Sequence, residues 1–215
     1  VADGDTGLET IYADPHLLVF NKPAGLLSVP GKGLDKQDCL SGRAQKNYPD
    51  ALIVHRLDMA TSGVMLMARG SAMQAALSKL FETRAIYKRY IAVVDGQMSA
   101  SPEWQLIDLP IAIDWLRRPL HMVQADGKPS QTRWRSLRYN ADTNTTQVEL
   151  IPITGRSHQL RVHMQALGHP ILGDALYAPA QVQAKSERLL LHACELRFLH
   201  PAGHERMAFE NSPGF

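Results

Sequence analysis

His55-Arg56-Leu57-Asp58-Met59-Ala60-Thr61-Ser62-Gly63-Val64 is the stretch on which the reading of this chain turns. It sets a carboxylate, Asp58, two residues from a guanidinium, Arg56, in a short polar segment between apolar runs. Upstream stand Leu52, Ile53 and Val54; downstream Val64-Met65-Leu66-Met67-Ala68 has the unbroken apolar character of a buried strand. Charged groups at such a junction need a purpose, because a carboxylate that loses water without gaining partners is costly.

Working outward, periodicity predicts a strand-rich chain. Leu8 to Tyr12 and Leu17 to Asn21 read as a hairpin around Asp14-Pro15. Asp38 is placed to cap a helix from Cys39 to Asn47, and Ser71 to cap a second whose stripe is Met73, Leu77, Leu80 and Phe81. Ile86 to Val94 reads as a strand, and Ser130 to Tyr139 with Thr145 to Ile153 as a hairpin turning at residues 140–144. Ser157 is placed to cap a helix from His158 to Leu167, ended by Gly168 and Pro170. Arg188 to His200 reads as a long strand with Cys194, Leu196 and Phe198 on one face.

Composition narrows the class without deciding function. The chain has 215 residues, 45% hydrophobic and 20% charged, with a formal net charge of +2, so no polycationic tail announces nucleic acid. Cys39 and Cys194 have no metal or disulfide spacing, which points to reduced thiols and a cytoplasmic setting. No stretch has the ~20 apolar residues of a membrane helix, and Val1 to Asp5 carry no signal-peptide pattern. Charge is nevertheless clustered. Arg84, Lys88 and Arg89 form one basic group; Arg117, Arg118, Lys128, Arg133, Arg135 and Arg138 form another, interleaved with Trp115, Trp134 and Tyr139. Basic side chains with aromatic neighbours suit phosphate contacts and stacking of unpaired bases.

His-Arg-Leu-Asp followed by Thr-Ser-Gly resembles the signature of the RluA family of pseudouridine synthases, and other segments match that family in order. They are residues 21–31 (Asn-Lys-Pro-Ala-Gly-Leu-Leu-Ser-Val-Pro-Gly), residues 87–92 around Tyr90, residues 152–163 with Arg156 and Arg161, residues 169–174, and Leu189-Leu190-Leu191-His192-Ala193. The resemblance implies an α+β fold with a large, mainly antiparallel mixed sheet flanked by helices. It also implies a single catalytic domain over residues 1–215, without the S4-type RNA-binding domain that several relatives carry. Met59-Ala60, Asp114-Trp115 and Gly127-Lys128-Pro129 are similar to the branch that modifies both 23S rRNA and the anticodon stem-loop of certain tRNAs.

From the resemblance follow expected roles. Asp58 is the catalytic carboxylate, Arg161 its ion-pair partner, and Tyr90 the active-site tyrosine, with Tyr87 a rival on the opposite strand face. Arg56 is associated with the flipped-out nucleotide, and Leu190 or Leu191 forms an apolar wall for the base. His55, Thr61, Lys88, Arg89, Arg117, Arg118 and Arg156 complete the expected RNA contacts. Isomerising uridine oxidises nothing and adds no group, so no cofactor is expected; RNA is the expected partner of a monomer. His158 and His163 are five apart rather than the four that put two ligands on one helix face, which argues against a metal. A glycosyl hydrolase would use the same Asp but needs a second acid, and a non-catalytic RNA-binding or RNA-folding module would have no use for Asp58.

Overall fold

A computed structural model describes residues 6–98 and 103–215. Val1 to Asp5, where a leader was sought, lie outside the described residues. In chain order the strands and helices are β1 (Glu9–Ala13), β2 (Leu17–Lys22), α1 (Leu40–Asn47), β3 (Ala51–Ile53), β4 (Ser62–Arg69), α2 (Ser71–Glu82) and β5 (Tyr87–Asp95). Then come β6 (Gln105–Asp108), β7 (Ile111–Ile113), β8 (His121–Val123), β9 (Gln131–Asn140), β10 (Thr145–Pro152), α3 (Gln159–Ala166), α4 (Ala180–Gln183), β11 (Leu191–Leu199) and β12 (Arg206–Glu210). The chain divides into two compact units: Val1–Lys88 with Ala193–Gly214, and Arg89–His192 with Phe215. The class is α+β, as the resemblance implies.

In the first unit the strand order is β1-β2-β4-β11, with β3 on β4 and β12 on β11. The β1–β2 hairpin forms where Asp14 closes its turn, its Oδ1 accepting the N–H groups of His16 (2.6 Å) and Leu17 (2.7 Å). β4 is buried on both faces, which is why its sequence is apolar without alternation. One of those faces joins Val64, Leu66 and Ala68 to Met73 and Leu77 of α2, Ile86, and Leu196, Phe198 and Phe209. Each such side chain contributes roughly 1.5–3 kcal/mol by burial.

In the second unit the order is β5-β10-β9-β6, antiparallel at each step, and β7–β8 form a separate ribbon. Helix α3 lies over one face of β9: Gln159 Nε2 donates to Thr132 Oγ1 (3.0 Å), and His163 Nδ1 and Thr132 Oγ1 are 2.8 Å apart. The pairing of β9 with β10 slips by one residue between Gln147↔Arg138 and Val148↔Ser136, so Leu137 is a bulge.

All three expected helix caps are replaced. Cys39 caps α1, its Sγ accepting from Gly42 N–H, because Asp38 is engaged by Arg43 at 2.6 and 2.7 Å. Ser71 is the first residue of α2; the cap is Gly70 at φ 76°, a conformation glycine adopts freely. His158, left-handed at φ 56°, precedes α3 in place of Ser157, and the Gln159 side chain accepts the Arg156 N–H.

Candidate active site

Asp58 stands in the turn between β3 and β4, and residues 21–31 fold against that turn to hold it. Lys22 ends β2 wholly buried, and its ammonium donates to the carbonyls of Pro23 (2.9 Å), Leu26 (2.8 Å) and Met59 (3.1 Å). Those contacts match the three donors a lysine has. Gly25 N–H donates to the same Met59 carbonyl (2.8 Å). Ser28 Oγ donates to the Leu57 carbonyl (2.7 Å) and accepts the Leu57 N–H (3.1 Å). Backbone on both sides of Asp58 is thus gripped, and Thr61 N–H closes the turn on the Asp58 carbonyl at 3.0 Å. Burial pulls the Lys22 ammonium down to about 8, and the charge of Asp58 opposes that fall. The buried cation and the carboxylate therefore attract one another.

Gly63 has a positive φ of 116°, and a Cβ there would lie 2.2 Å from the Ala193 carbonyl oxygen. Only glycine lets β11 approach the start of β4 so closely, a local reason for Thr-Ser-Gly after the aspartate.

The other expected residues of this unit separate into two kinds. Arg56 is exposed, and its guanidinium makes no hydrogen bond or ion pair among the described residues. His55 is committed to the fold: Nε2 accepts the Leu66 N–H (2.9 Å) and the ring stacks on Phe81 at 4.5 Å. Burial, then the charge of Lys88, pushes its imidazole down to about 3, so it stays a neutral acceptor near neutrality. Thr61 is buried and its N–H closes the turn. Lys88 is lowered by its own burial and then by Arg84.

Strand alternation divides β5. Tyr90 shares a face with Ala92 and Val94, whereas Arg89 points the other way and donates to Glu149 at 3.4 Å. Lys88 and Arg89 therefore face opposite sides of the strand. Tyr87 carries the Arg197 guanidinium over its ring at 5.0 Å. Leu191 is buried and Leu190 only partly so.

Arg161 is nearly buried and held from within its own unit. Asp174, fully buried, accepts from Arg161 Nε (2.8 Å) and Nη2 (2.6 Å), and from the N–H groups of Leu176 (2.9 Å) and Tyr177 (3.1 Å). The Tyr177 ring lies 5.0 Å below the guanidinium, and its Oη is 2.6 Å from His158 Nδ1. Arg156 is exposed and its Nε reaches the Pro129 carbonyl at 3.3 Å. Arg117 pairs with Asp114 at 2.7 Å, and Arg118 stacks on Trp115 at 4.4 Å, both on the connection between β7 and β8.

Lys22, Ser28, Asp174 and Tyr177 were not assigned roles from sequence. Lys22 carried a usable signal: it follows the apolar run Leu17–Phe20, where a lysine is out of place unless its ammonium is satisfied internally. Among the described residues no cluster of three or more His, Cys, Asp and Glu could hold a metal ion, and no helix is long and apolar enough to cross a membrane.

Comparison with known proteins bears on what this geometry serves. A family profile described as RNA pseudouridylate synthase matches residues 16–166. The chain is 49% identical over 204 residues to the dual-specificity RNA pseudouridine synthase RluA of Vibrio parahaemolyticus, covering 93% of this chain and 81% of that protein. It is 49% identical over 209 residues to the protein of the same description from Escherichia coli K12, covering 97% and 94%. Among solved structures, human RNA pseudouridylate synthase domain containing 1 superposes with a TM-score of 0.81 at 28% identity, covering 99% of this chain and 86% of that one.

Proposed function

The chain belongs to the RNA pseudouridylate synthase family, in its RluA branch, and on that premise we propose that Asp58 is the carboxylate with which it converts uridine to pseudouridine. The enzyme is an isomerase acting on RNA. The reaction breaks the bond from uracil N1 to ribose C1′ and makes one from C5 to C1′, releasing the C5 proton while N1 gains one. A carboxylate serves it as nucleophile or as stabiliser of positive charge developing on the sugar. The observation that carries the assignment is the clamp on Leu57 and Met59, which fixes the backbone on either side of Asp58 while the buried Lys22 ammonium and the carboxylate attract one another. Such preorganisation makes a charged group effective without reorganisation during the reaction.

Tyr90 takes the role of the aromatic face for uracil, Leu190 that of the facing wall, and Arg161 that of the cation serving the carboxylate, each on the strength of its motif. Arg56, exposed beside Asp58, contacts the displaced nucleotide or its phosphates. The relatives' description as dual-specificity enzymes supports two classes of substrate, which we assign as 23S rRNA and a tRNA anticodon stem-loop. The family match runs through both compact units, which supports reading them as one catalytic domain, acting as a cytoplasmic monomer.

Tritium release from 5-³H-uridine in tRNA and, separately, in 23S rRNA tests the assignment. Release by the wild type and none by Asp58→Asn, with RNA affinity retained, is expected; release by Asp58→Asn near the wild-type rate would overturn it.

A further inference from the structure

The face of the second unit's sheet turned away from Tyr90 carries a row of cations that the reaction does not use. Along β9, Arg133 and Arg135 lie on this face by alternation, opposite Leu106 of β6 and Glu149 of β10 respectively. The bulge at Leu137 then restores Arg138 to the same face, opposite Gln147. Without that extra residue, alternation would turn Arg138 to the side covered by α3.

Trp104, just before β6, organises the row. The guanidinium of Arg133 lies 5.3 Å from its ring centroid and that of Arg135 4.6 Å. Beneath them Glu149, only 4% exposed, accepts from Arg135 Nε (2.5 Å) and Arg89 Nη1 (3.4 Å). Arg133 and Arg138 have no hydrogen bond or ion pair among the described residues. Leu106 is 56% exposed beside them, and Asp108 at the far end is bonded to Gln131. Arginines at alternate strand positions are about 6.7 Å apart, close to the spacing of phosphates on an extended single strand. Guanidiniums stacked on an indole also present flat cationic surfaces to bases.

We propose that this face binds the phosphate backbone of single-stranded RNA, separately from the site that holds the target uridine. Trp134, which the sequence placed among the RNA aromatics, is 6% exposed on the α3 side and takes no part; Trp104 supplies the stack. The inference rests on RNA being the substrate but not on the role given to Asp58.

Oligoadenylate of about a dozen nucleotides, a length within the span of known single-strand sites, tests it because it holds no uridine to isomerise. Arg133→Gln with Arg138→Gln removes two cations and orphans no acid, whereas changing Arg135 would strip Glu149 of a partner. By fluorescence anisotropy this variant should bind about tenfold more weakly, with a salt slope lower by about 1.4, for two lost phosphate contacts. Asp58→Ala should bind as the wild type does. Absence of wild-type binding, equal binding by the arginine variant, or loss of binding in Asp58→Ala would overturn the proposal. So would a wild-type dimer that the arginine variant dissociates in sedimentation, which would give the face to a second copy of the chain.

Discussion

Asp174→Asn is the substitution whose cost the structure defines most closely. Oδ1 of Asp174 accepts three donors, Arg161 Nη2 and the N–H groups of Leu176 and Tyr177, while Oδ2 accepts Arg161 Nε. An asparagine can keep its oxygen at the first position, but its amide then turns two N–H donors toward Arg161 Nε–H. Three bonds survive, one becomes a donor–donor clash, and the guanidinium, 5% exposed, loses the charge of Asp174. Breaking a buried ion pair from one side costs about 3–5 kcal/mol. For a chain of this size that lowers the melting midpoint by roughly 6–20 °C. Guanidinium unfolding and a thermal melt measure it. The double substitution Asp174→Leu with Arg161→Met, which removes both charges, should recover part of the loss. Because Arg161 is proposed to serve the catalytic carboxylate, Asp174→Asn should also lower kcat while leaving RNA affinity nearly unchanged. A stability loss below about 1 kcal/mol, the range of an exposed pair, or a double variant whose cost is the sum of the single ones, would refute the reasoning.

Stability should fall as pH drops below 6.5, because the unfolded chain protonates His55 there while the folded chain resists down to about 3. The expected loss at pH 5 is about 2 kcal/mol from this residue, and buried His163 adds loss of the same sign. His55→Gln, which keeps an acceptor for the Leu66 N–H, should flatten the dependence in denaturation curves at pH 7 and 5; an equally steep curve would contradict the assignment. Gly63→Ala should cost on the order of 3 kcal/mol or more through backbone strain and overlap with the Ala193 carbonyl, and a melt near wild type would deny the close approach. Asp58→Asn removes the anion that opposes the burial of Lys22, so the Lys22 pKa should drop below about 8, read from the Cε shift of labelled lysine. The charged Lys22 costs stability below pH 8, and that cost vanishes as pH rises from 8 toward about 10.4. A Lys22 pKa unchanged in Asp58→Asn would separate the two groups.

Elements with strong internal periodicity were legible in advance. The stripe of α2, the apolar run of β4 and the β9–β10 hairpin all stand within a residue or two of their expected bounds. Short or interrupted elements were not: β6, β7 and β8 have too few residues to show a period, and α4 is a single turn. The caps failed for a different reason. Asp38, Ser71 and Ser157 are all good cap residues locally, but an arginine, a glycine with positive φ and a left-handed histidine occupy the positions that decide where the helices start.

By itself the sequence carried the motifs around Asp58, Tyr90 and Arg161, and with them the resemblance that implied the reaction class. It also determined that Tyr87 and Tyr90 face opposite ways, since alternation is a property of any strand. Which charges are available was decided only by the tertiary structure. Arg89 and Arg56 look equivalent in a list of basic residues, yet one is tied to Glu149, sixty positions along the chain, and the other stands open to solvent. Lys22, a lone lysine after an apolar run in the sequence, becomes the post under the Asp58 turn because Met59, thirty-seven positions away, turns a carbonyl toward it. A charged side chain is defined by its partners and its loss of water, and both come from residues that meet only when the chain has folded.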